Sequence, residues 1–269
     1  MLATLVVVFR EAIEAALIIA IAMGASRSIP RRGRWVAAGI ALGAAGAGLV
    51  ALFADALSNA FSGSGQPLFD AIILLAAVCM LAWHNIWMSS HGRAMAVEVR
   101  GVGEAVQGGS RPLTALMVIC LVAIMREGSE VVLFLWAIAT GGGQFWGMLA
   151  GGFLGLACGV LLGVFLYRGL LTIPMRHFFT VTGWLVLLIA AGLAAQAASF
   201  LNQAGLLPAL GNSLWDSSQL LDQGSLVGQM LHVLVGYTAR PSGIQLLFYV
   251  MTLIAILVPM QIAASRHRR

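Results

Sequence analysis

The sequence predicts an all-α, polytopic membrane protein with seven transmembrane helices, and three observations carry that prediction. Of 269 residues, 60% are hydrophobic and 9% charged, against roughly 25% charged in an ordinary soluble domain. Seven apolar stretches, near 2–25, 35–57, 67–90, 113–140, 145–167, 178–200 and 243–264, each approach the roughly 20 helical residues needed to cross about 30 Å of hydrocarbon. The basic residues, all of them arginine, gather in alternate connections between those stretches. Residues 1–269 are therefore read as one integral domain, multi-pass in the cytoplasmic membrane, with no separate soluble unit.

The first stretch is expected to be a retained helix. Residues 1–9 carry no basic side chain and the core holds Arg10, Glu11 and Glu14, whereas a secretory signal wants a basic start and an uncharged core. Arg27, Arg31, Arg32 and Arg34 follow the first helix; Arg93, Arg100 and Arg111 follow the third; Arg168 and Arg176 follow the fifth. Arg266, Arg268 and Arg269 close the chain, the second and fourth connections have no arginine, and the sixth has only Arg240. By the positive-inside rule the N-terminus is outside and the C-terminus inside. The net charge of +5 thus serves orientation, and the expected surroundings are membrane lipid, with no nucleic acid.

Gly39 and Gly43 in the second helix, and Gly147, Gly151, Gly155, Gly159 and Gly163 in the fifth, recur at a spacing of four. Such a spacing opens a groove along one face, where another backbone can come close, and the fifth helix is expected to be central in the packing. The recurrence after three helices suggests that helices 1–3 and 4–6 are inverted-topology repeats, with helix 7 as an addition. Segment 201–242 is too apolar for a solvated loop and too broken by glycine and proline for a span; an amphipathic or re-entrant cover on the outer mouth is the expectation. Cys79, Cys120 and Cys158 fall inside spans without CxxC spacing, so they read as small buried fillers and imply neither a disulfide framework nor a structural zinc site.

Two charged clusters interrupt this apolar sequence, FREAIEA at 9–15 and MREGSEV at 125–131. One charge at the bilayer centre costs about 2.5–3.5 kcal/mol, so six facing lipid would cost on the order of 15–20 kcal/mol. They must face each other or water. In each cluster the glutamates are three residues apart and the arginine four before the second, so all three project from one side of a helix. Bringing the first and fourth helices together antiparallel would gather four carboxylates and two guanidinium groups, a formal charge of minus two. Carboxylate oxygens suit hard cations and match soft copper(I) poorly. Arg10 and Arg126 would hold the glutamates ionised and ordered and temper the affinity, as a site that must release its ion requires. The alternative is an ion-pair network that only locks the two helices. Two copies at matched depth, each with a surplus carboxylate, argue against it.

REAIE and REGSE resemble the paired REXXE motifs of the oxidase-dependent iron permeases, a family with bacterial and fungal members. The resemblance extends over the whole chain: seven spans, a basic first loop, LFDAI at 68–72, AAGLAAQA at 190–197 and GYTARPS at 236–242. Many relatives have Gly-Leu between the charged positions, where this chain has Ala12-Ile13 and Gly128-Ser129. The resemblance implies import of iron as the transported substrate, taken as iron(III) from an extracytoplasmic iron-oxidising or iron-delivering partner, with no other cofactor. It makes Glu11, Glu14, Glu127 and Glu130 the metal ligands and Arg10 and Arg126 their supporting charges. It also favours carboxylates at Asp70 and Asp216 on the outer side, where they could attract a cation or could equally be a helix N-terminal charge at Asp70 and a solvated side chain at Asp216.

His84, in LAWHNIWMSSH, could ligate iron or relay a proton, and would look the same if it only bonded a neighbouring helix. His232, in the outer segment, could assist metal capture or simply pack. Two other functions compete. A membrane-embedded di-iron carboxylate oxidoreductase would normally show two Glu-x-x-His motifs, and neither cluster has a histidine three residues after a glutamate; the expectation is a transporter without catalytic residues. A permease for another hard cation, such as manganese or lead, is not distinguished by these residues.

Overall fold

Helix formation follows the apolar stretches closely, and the charged residues decide where the helices meet. The computed structural model describes residues 1–60, 66–140, 144–168, 175–211, 213–222 and 224–266. Within them lie eight helices: α1 (Leu2–Ala25), α2 (Arg32–Ala60), α3 (Gln66–Gln107), α4 (Thr114–Thr140), α5 (Phe145–Tyr167), α6 (Met175–Gln203), α7 (Leu226–Val235) and α8 (Gly243–Arg266). Five of these, α2, α3, α5, α6 and α8, are long and apolar enough to cross a membrane by length and composition. α1 and α4 have the length, with 24 and 27 residues, but each carries an arginine and two glutamates. At 10 residues, α7 is too short to span. Of the C-terminal arginines, Arg268 and Arg269 lie outside the described residues.

The third helix departs from the sequence expectation. It was predicted to end near residue 90, with Arg93 and Arg100 in a loop, but α3 runs 42 residues to Gln107. The reason is amphipathic: Val99, Val102 and Val106 recur at helical spacing and pack with Ile18, Ala22, Val36, Leu116 and Cys120. A reading by hydropathy stops at the first charged residues, while this helix continues along a single apolar face.

Glycine faces set the closest helix contacts, α1 with α5 and α2 with α4. A Cβ on Gly155 would stand 2.6 Å from the Leu5 carbonyl oxygen and 2.9 Å from the Phe9 nitrogen, and one on Gly159 2.5 Å from the Ala12 Cβ. On α2, a Cβ at Gly43 would stand 2.7 Å from the Leu121 carbonyl oxygen, and one at Gly39 would collide with that of Met117. α5 is nevertheless not central, contrary to expectation. Only its glycine face is covered, and Phe153, Leu156, Val160 and Leu161 point outward. The central helix is α6, with 61% of its span buried against 22% for α5. Its run of buried alanines lets α3 and α8 pack closely upon it. Of the three cysteines, all free, Cys120 is buried but Cys79 and Cys158 are exposed; an outward thiol in a helix of this kind meets lipid at little cost.

The apolar interior is divided in two. One cluster holds Ala3, Val7, Leu74, Leu81, Phe134, Ala137 and the inner face of α6; the other holds Ile18, Ala22, Val106, Leu116, Cys120 and Ala123. Along α1 the charged residues 10–14 fall between Val7 and Ile18. Along α4 residues 126–130 fall between Ala123 and Phe134, and on α3 His84 follows Leu81. A polar layer is thereby enclosed between two dry ones.

Outside this body, Ser225 caps α7 by accepting from the Gly228 amide at 3.0 Å, and Gly236 ends it in the left-handed conformation (φ 73). A Cβ on Gly236 would collide with the Cα of Gly192 on α6, so the segment seats directly on the bundle. The segment expected to form the outer cover thus contains a short helix.

Substituting a tightly packed glycine should separate two opposed effects. At Gly48, where an added Cβ meets nothing within 4 Å, Gly48→Ala should raise the melting temperature of detergent-purified protein slightly, since Gly in a helix costs about 0.5–1 kcal/mol relative to Ala. Gly155→Ala should lower it, with overpacking worth about 1–3 kcal/mol. Shifts of the same sign for both variants would contradict the packing described.

Candidate metal centre

α1 and α4 build the same local device. The Arg10 Nε donates to Glu14 Oε1 at 3.0 Å, four residues on, and its Nη1 lies 3.8 Å from Glu11 Oε1. The Arg126 Nε donates to Glu130 Oε1 at 3.3 Å and lies 4.0 Å from Glu127 Oε1. The expected one-sided projection of each motif is what the helix produces. The environments differ: the Arg10 side chain is 3% exposed and that of Arg126 30%, where its guanidinium stacks on Trp87, 4.6 Å from the ring centre.

α3 supplies the connection between the two motifs. His84 Nε2 lies 3.1 Å from Glu14 Oε2 and Nδ1 2.5 Å from Glu130 Oε2, so one imidazole touches the second glutamate of each cluster. The neighbouring Asn85 donates to the Gly183 carbonyl of α6 at 3.2 Å, which fixes the rotation of α3 about its axis.

Glu11, His84, Glu127 and Glu130 offer donor atoms that all lie within 4.8 Å of one another, and all four side chains are buried. A first-row ion bound at about 2.0–2.2 Å from each ligand separates opposite donors by roughly 4–4.5 Å, so the group fits one such ion with small adjustment. Both oxygens of Glu11 and the Oε2 atoms of Glu127 and Glu130 are buried without a hydrogen-bond donor. Buried carboxylate oxygens in that condition are costly unless a cation satisfies them. Three carboxylates with one imidazole suit iron or manganese and match copper(I) poorly. Glu14 stands beside this group, its oxygens engaged by Arg10 and His84.

The other sequence candidates lie elsewhere. Asp70, near the start of α3, accepts from Gln66 at 3.3 Å. Asp216 is exposed and accepts from Arg240 Nε at 2.9 Å and from Ser218. The Ser218 hydroxyl and amide, and then Arg240, hold its carboxyl below the usual aspartate range. That clip is therefore present above the ordinary pKa and opens only as the pH falls through the lowered value. His232 on α7 sits 2.7 Å through Nδ1 from the Tyr237 carbonyl and 2.9 Å through Nε2 from Gln196 of α6, so it ties α7 to the central helix. Trp87 was legible only as a packing or interface aromatic, though its position three residues after His84 places it on the same helix face.

A helical membrane protein with a buried, acid-rich group of convergent ligand atoms contributed by three helices has the constitution of a metal-ion transporter. The sequence profile of the Iron permease FTR1 family matches residues 1–267. The ferrous iron permease EfeU of Escherichia coli O6:H1 is 32% identical over 270 residues, covering 97% of each chain. That of Yersinia pestis is 31% identical over 258 residues, covering 94% of this chain and 90% of its own. No solved structure matches. The chain belongs to the FTR1 iron permease family: it transports iron across the membrane and is not an enzyme, which removes the di-iron oxidoreductase alternative.

Breaking a buried ion pair costs about 3–5 kcal/mol, because a charge is left without its partner. Arg10→Ala should destabilise the purified protein by about that much, and Arg126→Ala by clearly less, since Arg126 is partly exposed. Equal drops in melting temperature would show that the two motifs are electrostatically equivalent after all.

Proposed function

We propose that this permease imports iron through the polar layer between α1 and α4, with the paired REXXE glutamates forming its midplane site. The observation that carries the reading is the buried set of carboxylate oxygens on Glu11, Glu127 and Glu130 that no hydrogen-bond donor satisfies. Arg10 and Arg126 order the clusters and moderate their charge. The two apolar layers limit access from either side, so passage requires one of them to part at a time, as alternating access demands.

In this reading α1 and α4 also cross the membrane, making seven spans with the N-terminus outside and the C-terminus inside the cytoplasmic membrane, and residues 1–269 act as one permease domain. Two features support an inverted repeat of α1–α3 and α4–α6. Exchanging the halves turns the α1 contact with α5 into the α4 contact with α2, and both are made through glycine faces. The relatives' names specify ferrous iron; the oxygen-rich site would also hold iron(III), delivered by an extracytoplasmic oxidising partner. Asp70, Asp216 and His232 lie off the polar layer, and any part they play is in capture at the outer side.

Reconstituted into liposomes, the protein should carry iron to the lumen, and Glu11→Gln or Glu127→Gln should reduce that flux to the level of empty vesicles. Running the assay with iron(II) under ascorbate, chelated iron(III), manganese(II) and lead(II) identifies the species and the selectivity. Normal iron flux in both variants would exclude the site.

A further inference from the structure

Three features of the polar layer were not accounted for by the paired glutamates. Glu14 is not in the group of convergent donors, His84 is, and His84 is held by a carboxylate on its far side. Resting on the carboxylate site proposed above, we propose that His84 is the nitrogen ligand of the transported ion, coordinating through Nδ1, and that Glu14 is the positioning residue that orients it.

The tautomer follows from the hydrogen bonds. Both ring nitrogens face carboxylates that can only accept, but hydrogen-bond geometry is met only at Nε2, 3.1 Å from Glu14, so the neutral imidazole donates its proton there and carries its lone pair on Nδ1. That atom is buried, makes no hydrogen bond, and lies 2.5 Å from Glu130 Oε2. A lone pair against a carboxylate oxygen at that distance is repulsive, and a cation coordinated by both removes the repulsion. Metal-bound histidines commonly donate their other ring nitrogen to a carboxylate, which fixes the ring and raises its basicity. Glu14 occupies that position, and it is itself anchored by Arg10 at 3.0 Å. The second glutamates of the two motifs therefore differ in role: Glu130 contributes to the ion directly, whereas Glu14 acts through His84. The repeat supplies two equivalent carboxylate pairs, and α3 breaks the equivalence with one imidazole.

A single nitrogen donor has a chemical consequence. Imidazole suits first-row transition ions, while magnesium and calcium prefer all-oxygen surroundings. His84 thereby becomes a determinant of selectivity for transition metals over the alkaline-earth ions, which four carboxylates would not reject.

Manganese(II) serves as a paramagnetic probe of the detergent-purified full chain. Electron spin-echo modulation of bound manganese should show coupling to a directly coordinated imidazole nitrogen, and the pattern should change when the protein is prepared with 15N-histidine. This wild-type measurement needs no variant to fold. In His84→Gln the nitrogen modulation should vanish while binding persists, and competition by calcium(II) should strengthen at least several-fold. Glu14→Gln should keep the nitrogen signal with altered coupling and weaken manganese binding roughly 10–100-fold, the range for residues that orient ligands. Saturable, Glu127-dependent manganese binding with no histidine nitrogen coupling would overturn the role of His84 and leave the carboxylate site standing. Manganese binding that Glu11→Gln, Glu127→Gln and Glu130→Gln all leave unchanged would overturn both.

Discussion

The cost of charge in a low-dielectric slab is the constraint on which the rest of this structure depends. In the proposed seven-span arrangement, six ionisable groups at the same depth of two helices have no stable arrangement facing hydrocarbon, so α1 and α4 present them to each other. Once they do, the arrangement is only partly neutral: the arginines engage some carboxylate oxygens, and those of Glu11 in particular are left without donors. Charge burial thus dictates which helix faces meet, and its incomplete compensation gives the site an appetite for a cation.

Close approach depends on a second constraint, the absence of side chains where backbones touch. Gly155 and Gly159 let α5 lie against α1 beside Ala12, inside the REAIE motif, and Gly39 and Gly43 let α2 lie against α4. Gly128, inside the REGSE motif, comes close to Ala47 of α2 in the same way, its added Cβ standing 2.7 Å from the alanine Cβ. One small residue between the charged positions of each motif, Ala12 or Gly128, therefore serves the packing of a neighbouring helix while the charged ones serve the interior. One face of each motif helix is for assembly, and in the proposed function the opposite face is for the ion.

Function follows from the layering. Val7, Leu81 and Phe134 close one side of the polar layer, and Ile18, Leu116 and Cys120 the other. Apolar layers on both sides keep the effective dielectric low, which in the proposed function strengthens the pull of the carboxylates on a cation and makes uncontrolled leakage of protons and other ions expensive. The unequal exposure of Arg10 and Arg126 marks the α4 side as the less enclosed one. An iron permease needs a site that binds strongly and lets go, and under the proposed function an arginine beside each glutamate pair would moderate an otherwise excessive charge.

Much of this was legible in the sequence because the relevant signals are local. Charge positions within a helix follow from a 3.6-residue period, so the common face of Arg10, Glu11 and Glu14 needed no tertiary information, and the four-residue glycine spacing named the close-contact faces. What the sequence could not determine depended on distances between helices. It did not show that α3 continues past residue 90, because the apolar face of Val99 and Val106 gains its value only from the partners it meets. It misplaced α5, because a glycine groove reveals that a neighbour comes close but not how many neighbours there are. It also left His84 undecided between ligand and packing residue. By itself the chain determined that two charged helices had to meet; only the tertiary structure, by rotating α3 so that one imidazole reaches both glutamate pairs, joined a third helix to the two charged ones, since a contact between residues 14, 84 and 130 has no expression in local periodicity.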